Sequence, residues 1–270
     1  MRRSIEEQLK MIDDWIDQAE KAVKNKPEGL LIIGQRHSKT EWYIKKGNNL
    51  QYLPKTKEKL AKAMAQAQYA RAFLKRAEEE KRTLARLLEL GAERSTGVMF
   101  HNLAKPFERL SEGRKQLVKA YVLPDEDFAK AWESVPYEGK AFPENTPEIY
   151  TERGERVRSK SEKMIADKLY SLGVHYRYEY PVVIRGVGTI FSDFTLLDLS
   201  ERANITLEHF GLMDDPEYVK SALWKIDTFG KNGFEPGWDI LFTFESREHP
   251  IDMKHFEKLI TSRFRKTLKR

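Results

Sequence analysis

Apolar residues in the first half of the chain recur at helical spacing, with short β-forming runs between the helical segments. A repeat of three or four residues predicts an amphipathic helix, whereas short apolar runs next to a turn predict strands. Gly47-Asn48-Asn49 supplies such a turn. The predicted helices cover about 4–24, 55–90, 105–121 and 125–134, and the predicted strands of a small hairpin or sheet cover 30–33, 40–44 and 50–53.

The second half has a different order of elements, α-β-β-β-α-β-α. Asp214-Asp215-Pro216 marks the start of its second helix, because Asp caps free N–H groups and Pro suits the first turn. The predicted helices cover about 155–172, 216–229 and 252–267, and the predicted strands cover 176–184, 189–197, 205–210 and 238–245.

A stretch with two prolines and a glycine, residues 137–147, indicates a linker between the two halves. We therefore predict two domains: 1–140, mainly helical with a β-hairpin, and 141–270, an α/β domain. The long helix at 55–90 has an apolar stripe among many charged residues, which is typical of a helix that packs on neighbours. It also suits an arm that binds nucleic acid or a protein partner, or self-association into a homo-oligomer.

Three acidic residues occupy positions where acids are unusual. Glu162 shares a helical face with Ile165 and Leu169, while Asp193 and Glu208 lie within β-forming runs. Two carboxylates that are close together in a partly buried sheet repel each other, and each is costly to desolvate. A divalent cation relieves both costs, and carboxylate oxygens suit Mg²⁺ or Mn²⁺. The set therefore predicts a metal site.

Each acid also has a structural explanation. Ser159-Lys160-Ser161-Glu162 matches a capping box, in which the Glu side chain reaches back to the backbone at the helix start. An acid in a strand usually lies on an exposed face or pairs with Lys or Arg. The three acids together, each on its own element, are more specific than any one of them.

The element order and the positions of these acids are similar to those of the PD-(D/E)XK nuclease superfamily, including bacterial members. The resemblance covers about residues 155–250, and its local phrases are 158–162, 176–181, 192–195, 207–211 and 213–218. It implies a restriction-endonuclease-like αβββαβ core in which Glu162, Asp193 and Glu208 hold the metal. Glu179 matches a further strand acid of such nucleases.

The chain departs from the family pattern at the lysine expected two residues after the second strand acid, where Phe210 stands. Lys225, on the following helix, and Lys160 are candidates to replace it. For Lys225 the alternative is a solvated helix lysine, and Tyr218 is either a hydrogen-bonding assistant or a packing residue.

The resemblance implies Mg²⁺-dependent hydrolysis of phosphodiester bonds, most directly in DNA. The alternative is a catalytically weak or inactive nuclease-fold protein that binds nucleic acid or a protein partner. A formal charge of +6 favours polyanionic partners. The basic tail with Lys266, Lys269 and Arg270 is a candidate phosphate contact.

Several residues of the N-terminal hairpin are candidates for nucleic-acid contact, although core packing is the commoner role of its aromatic residues. These candidates are Trp42, Tyr43, Lys45, Lys46 and Tyr52. The chain has no cysteine, which excludes disulfides, thiolate nucleophiles and Cys-type zinc sites. No apolar run resembles a signal peptide or a membrane span, so we expect a soluble, cytoplasmic protein.

Overall fold

The computed structural model describes residues 3–36, 39–93, 97–144 and 146–265 of a mixed α/β protein with 46% helix and 21% strand. It divides into two compact units, Arg3–Phe128 and a C-terminal unit that begins at Ala129. This division lies before the predicted boundary at 140/141. Trp132 and Tyr137 belong to the C-terminal unit because the Arg177 guanidinium lies over both rings, 4.1 and 5.8 Å from their centroids.

Helices and one small sheet make up the N-terminal unit. Helix α1 begins with a complete capping box between Ser4 and Glu7. The prediction of one helix over 105–121 is wrong. A helix that begins at Met99 ends at Glu108, the chain turns at Arg109–Ser111, and a second, short helix ends at Lys115. The elements are α1 Ile5–Lys24, β1 Leu30–Arg36, β2 Lys39–Lys46, β3 Asn49–Leu53, α2 Glu58–Glu89, α3 Met99–Glu108 and α4 Glu112–Lys115. Helix α5 Asp125–Glu133 begins in this unit and continues past the division at Ala129.

The apolar stripe of α2 packs within the chain. Tyr69, Phe73 and Leu84 of this helix share a core with Ile12 of α1 and Leu103 of α3. The packing within this unit already covers those side chains. Nothing in the structure tests self-association through α2, so it stays a prediction.

One face of the antiparallel sheet β1-β2-β3 also packs on α2. Leu31, Trp42 and Leu53 are buried against Ala61 and Met64. Trp42 is therefore a core residue, and the Lys55 ammonium lies 3.5 Å from the centre of its ring.

The C-terminal unit contains a four-stranded mixed sheet and two separate strand pairs. Its elements are β4 Ile149–Tyr150, β5 Arg156–Val157, α6 Lys160–Ser171, β6 Tyr176–Tyr178, β7 Pro181–Ile184, β8 Gly188–Phe191, β9 Phe194–Asp198, β10 Ala203–Phe210, α7 Pro216–Lys231, β11 Ile240–Phe244 and α8 Met253–Arg263. The sheet order is β11-β10-β9-β6, with β10 and β11 parallel and the other neighbours antiparallel.

Two predicted strands are each broken in the middle. The run 176–184 stops at Glu179, whose φ of 47° lies in the left-handed region, and the run 189–197 stops at Ser192 and Asp193. The Glu179 N–H donates to the Asp193 carbonyl at 3.1 Å, which joins the two breaks. Beyond them, β7 and β8 form a hairpin apart from the main sheet. The predicted α-β-β-β-α-β order is present as α6, β6, β9, β10, α7 and β11.

Helices cover both faces of the main sheet. Leu207 of β10 packs with Ile165 of α6 and Phe256 of α8, whereas Phe229 of α7 packs with Ile240 of β11. Successive strand side chains point to opposite faces. Glu208 therefore points to the α7 side of the sheet.

Among the helices in the described parts of the chain, none combines the length and apolar character needed to cross a membrane.

Candidate functional site

Two acids and a lysine meet on the α7 side of the sheet. Glu208 is 1% exposed, and its Oε2 lies 2.5 Å from the Lys225 ammonium. Asp193 lies in the break before β9 rather than inside a strand, and its Oδ2 accepts the backbone N–H of His209 at 2.7 Å. The antiparallel pairing of β9 with β10 places Asp193 next to Glu208. The sequence prediction that these two acids are neighbours therefore agrees with the structure.

Burial and the charge of a neighbouring carboxylate, Asp193 for Glu208 and Glu162 for Asp193, favour the protonated forms of both acids. Desolvation and the nearby Asp193 charge raise the pKa of Glu208 to about 8, against the opposing effect of Lys225. Desolvation also raises the pKa of Asp193, although Lys225 and the His209 N–H lower it. Perturbed acids of this kind concentrate at functional sites. The pair is thus a favourable place for a cation, which would stabilise both carboxylates.

The second carboxylate oxygen of Glu208 tests whether a cation fits. Oε1 is buried, and no donor in the described chain reaches it. A buried acceptor without a partner is costly, and a cation would satisfy it. Mg²⁺ needs only one or two carboxylates when water or phosphate completes its shell. Asp193 and Glu208 fit such a site, whereas within the described ranges no group of three or more His, Cys, Asp or Glu side chains is arranged to hold a metal.

Glu162 does not join the other two acids as a third ligand. Its Oε2 accepts the Arg158 N–H at 2.8 Å and the Tyr178 hydroxyl at 2.7 Å, while Ser159 Oγ accepts the Glu162 N–H at 3.1 Å. This is the capping role that the sequence leaves open, shifted by one residue at the backbone donor. Glu162 is still close enough for its charge to raise the pKa of Asp193.

The remaining candidate residues differ in their contacts. Lys225 contacts Glu208, whereas Lys160 is an exposed residue at the start of α6. Glu179 is buried and forms an ion pair with Arg158, with separations of 2.6 and 3.0 Å. Burial raises the pKa of Tyr218, and the charges of Asp193 and Glu208 add to this rise. The Tyr218 oxygen accepts the Gly211 N–H at 3.3 Å.

A polar cluster on the opposite face of β10 was not predicted from the sequence. Glu245 Oε1 accepts the Ser161 hydroxyl at 2.5 Å and lies 3.2 Å from His209 Nε2, while His209 Nδ1 is 2.9 Å from Thr243 Oγ1. Burial raises the pKa of Glu245, but hydrogen bonds from the Ser161 hydroxyl and the Ile251 N–H and the nearby His209 ring outweigh it, so the pKa lies below its usual value. Thr243 and Glu245 fix the His209 side chain, and the backbone N–H of His209 donates to Asp193.

The position of Glu245 in the sequence could have identified it as a candidate site residue. It directly follows β11, and the carboxyl ends of neighbouring parallel strands lie at the same edge of a sheet.

The predicted phosphate contacts Lys266, Lys269 and Arg270 lie outside the described residues. Comparisons with models of known protein families, with curated proteins and with solved structures each found no match.

Proposed function

We propose that the C-terminal unit hydrolyses phosphodiester bonds, most directly in DNA, with Mg²⁺ or Mn²⁺ as cofactor. The observation that carries the proposal is the pairing of half-buried Asp193 with buried Glu208, whose Oε2 lies 2.5 Å from the Lys225 ammonium. The order of elements around this pair and the resemblance to the PD-(D/E)XK superfamily add support.

In the hydrolysis, a water oxygen bonds to phosphorus, one ester P–O bond breaks, and the leaving oxygen takes up a proton. A divalent cation held by Asp193 and Glu208 would supply the positive charge that polarises the phosphate. The His209 N–H fixes the orientation of Asp193. Lys225 would stabilise negative charge that grows on the phosphate, since its ammonium is held at the pair by Glu208. The Tyr218 oxygen accepts the Gly211 N–H, and its hydroxyl hydrogen could be donated to a phosphate oxygen.

A second candidate is a nuclease-fold protein that binds nucleic acid without cutting it. Two observations favour it: the Glu162 carboxylate is engaged in capping α6 and binding Tyr178, and Lys225 already forms an ion pair with Glu208. A lysine that already offsets part of the acid charge reduces the need for a cation at this site.

Cleavage of DNA by the purified full chain, with Mg²⁺ or Mn²⁺, separates the two candidates. The test compares wild type with Asp193→Asn and Glu208→Gln. The matched control is Asp227→Asn, which changes an exposed acid on α7 that pairs with Lys231. We expect wild type and the control to cut, and each site variant to lose about 100-fold or more in rate.

Binding measurements complete the comparison. If wild type does not cut but wild type and Asp193→Asn bind DNA equally, the second candidate is correct and the hydrolase proposal is wrong. Cutting by Asp193→Asn at the wild-type rate would also overturn the hydrolase proposal, because it would place the chemistry elsewhere. Calorimetric titration with Mn²⁺ should show one site in wild type that both site variants lack.

A further inference from the structure

The sheet of the N-terminal unit has one face that does not pack on α2. We call this face the outer sheet face; it is formed by alternate residues of the three strands. The other alternate residues, such as Leu31 and Trp42, form the buried face. The members of the outer sheet face are Leu30, Ile32, Gly34, Arg36, Lys39, Glu41, Tyr43, Lys45, Leu50 and Tyr52.

Apolar and aromatic side chains lie together in the middle of this face. The register aligns Ile32 with Tyr43 and Tyr43 with Tyr52, so these three side chains form a row across the strands. In the next row, Leu30 and Leu50 flank Lys45. Leu50 and Tyr52 are 54% and 53% exposed. An exposed apolar cluster of this kind, on a sheet whose other face already forms a core, is typical of a binding surface.

The two tyrosine rings are held in a fixed arrangement. Their centroids are 5.8 Å apart and their planes lie at 74°. The Tyr43 hydroxyl donates to Glu41 at 2.5 Å, which fixes the orientation of its ring. On the neighbouring strand Gly34 lies against the half-buried Tyr43 ring, and a Cβ at this position would be 3.5 Å from it, so no side chain from Gly34 adds to its cover. Rigid, accessible rings can stack on a planar ligand with little loss of conformational entropy.

The charges around the rings are mainly positive. Arg36, Lys39 and Lys45 are exposed cations of the outer sheet face. Glu41 is the one acid among its members, and its carboxylate already accepts the Tyr43 hydroxyl. Aromatic rings within a row of cations fit a polyanion with exposed flat groups.

We propose that the outer sheet face binds single-stranded nucleic acid, with bases stacked on Tyr43 and Tyr52 and phosphates beside Lys45, Arg36 and Lys39. The flat faces of bases in a duplex are covered by their neighbours, so stacking on the tyrosines requires an unpaired strand. Each base has an aromatic face, so this binding tolerates many sequences. The inference does not depend on hydrolysis by the C-terminal unit.

Fluorescence anisotropy with the full chain tests this binding. The probes are labelled oligo-dT and oligo-U strands of roughly 20 nucleotides, with a duplex of equal length for comparison. All titrations contain EDTA, so that cleavage cannot interfere and failure of the hydrolase proposal leaves the result unaffected. We expect wild type to bind at least one of the single strands more tightly than the duplex.

Tyr52→Ala should weaken single-strand binding about tenfold through the loss of one stacking contact. The matched control is Tyr170→Ala on α6, where the wild-type tyrosine is also 53% exposed. Lys45→Ala should lower the slope of log affinity against log salt by about 0.7, because one phosphate contact is lost. Circular dichroism melting of Tyr52→Ala should match wild type, since this residue is outside the core.

Three results would overturn the inference. One is duplex binding as tight as single-strand binding, and another is equal effects of Tyr52→Ala and Tyr170→Ala. The third is a wild-type dimer in sedimentation analysis that becomes a monomer in Tyr52→Ala, which would assign the outer sheet face to a second copy of the chain. The relative affinities for oligo-dT and oligo-U decide between DNA and RNA.

Discussion

Replacing Glu208 with glutamine should stabilise the metal-free protein increasingly as the pH rises. In the folded protein the pKa of Glu208 is raised from 4.5 to about 8, mainly by burial. Between these values the folded state keeps a proton that the unfolded state has lost. The unfolded state therefore binds fewer protons, and the free energy of unfolding falls as the pH rises through this window. A glutamine side chain does not titrate, so the Glu208→Gln variant lacks this loss.

The size of the effect follows from the proton linkage. One proton of difference changes the free energy of unfolding by about 1.4 kcal/mol per pH unit. Between about pH 5 and about pH 8, wild type should thus lose roughly 4 kcal/mol relative to Glu208→Gln. This is a large part of the stability of a typical domain, so it should be visible in the denaturation midpoint.

Urea denaturation followed by circular dichroism, in EDTA, measures this difference at several pH values. Glu217→Gln is the control, because Glu217 is an exposed α7 residue that pairs with Lys220. A wild-type-minus-variant difference that stays flat with pH would refute the reasoning, since it would show that Glu208 is ionised in the folded state. Adding Mg²⁺ at about pH 8 should stabilise wild type but not Glu208→Gln, because a cation replaces the bound proton.

Three further predictions concern the surroundings of the site. Lys225→Met should slow DNA cleavage by about 100-fold in a single-turnover assay, while Lys220→Met, a change on the exposed side of α7, should leave it unchanged. Ser159→Ala should lower the free energy of unfolding by about 1 kcal/mol in urea denaturation, because the N–H at the start of α6 loses its side-chain acceptor. Arg158→Met should lower it by about 3 kcal/mol above neutral pH, because Glu179 is buried and would lose its cation; a cost below about 1 kcal/mol would contradict this.

The sequence was sufficient to identify Glu208 but not the environment of Asp193. An acid within the β-forming run 205–210 stands out, and the residue is indeed buried on β10. The residues on both sides of Asp193 favour a strand, so local pattern gave no sign of the break. The break depends on a distant contact, the hydrogen bond from Glu179 to the Asp193 carbonyl. Local propensity carries no information about such a contact.

The role of Glu162 shows the same limit from the other side. The sequence predicted both a capping role and a metal-ligand role for Glu162, and the two roles use the same carboxylate. Only the placement of Tyr178 beside it, on β6, shows that the carboxylate is engaged within the fold.

For the tyrosines of the N-terminal sheet, alternation along the strand separates Trp42 from Tyr43, but the sequence does not say which face is covered. The packing of α2 decides it.

The hairpin β7–β8 has a consequence for how the acid site responds to ligands. Its last residue, Phe191, has a carbonyl 3.5 Å from the Lys225 ammonium, and Asp193 follows only two residues later. A molecule that displaces the hairpin would therefore pull on an acid and its neighbouring cation together. The hairpin tip, around Gly186, is not part of this attachment, so we expect insertions there to leave the acid site unchanged.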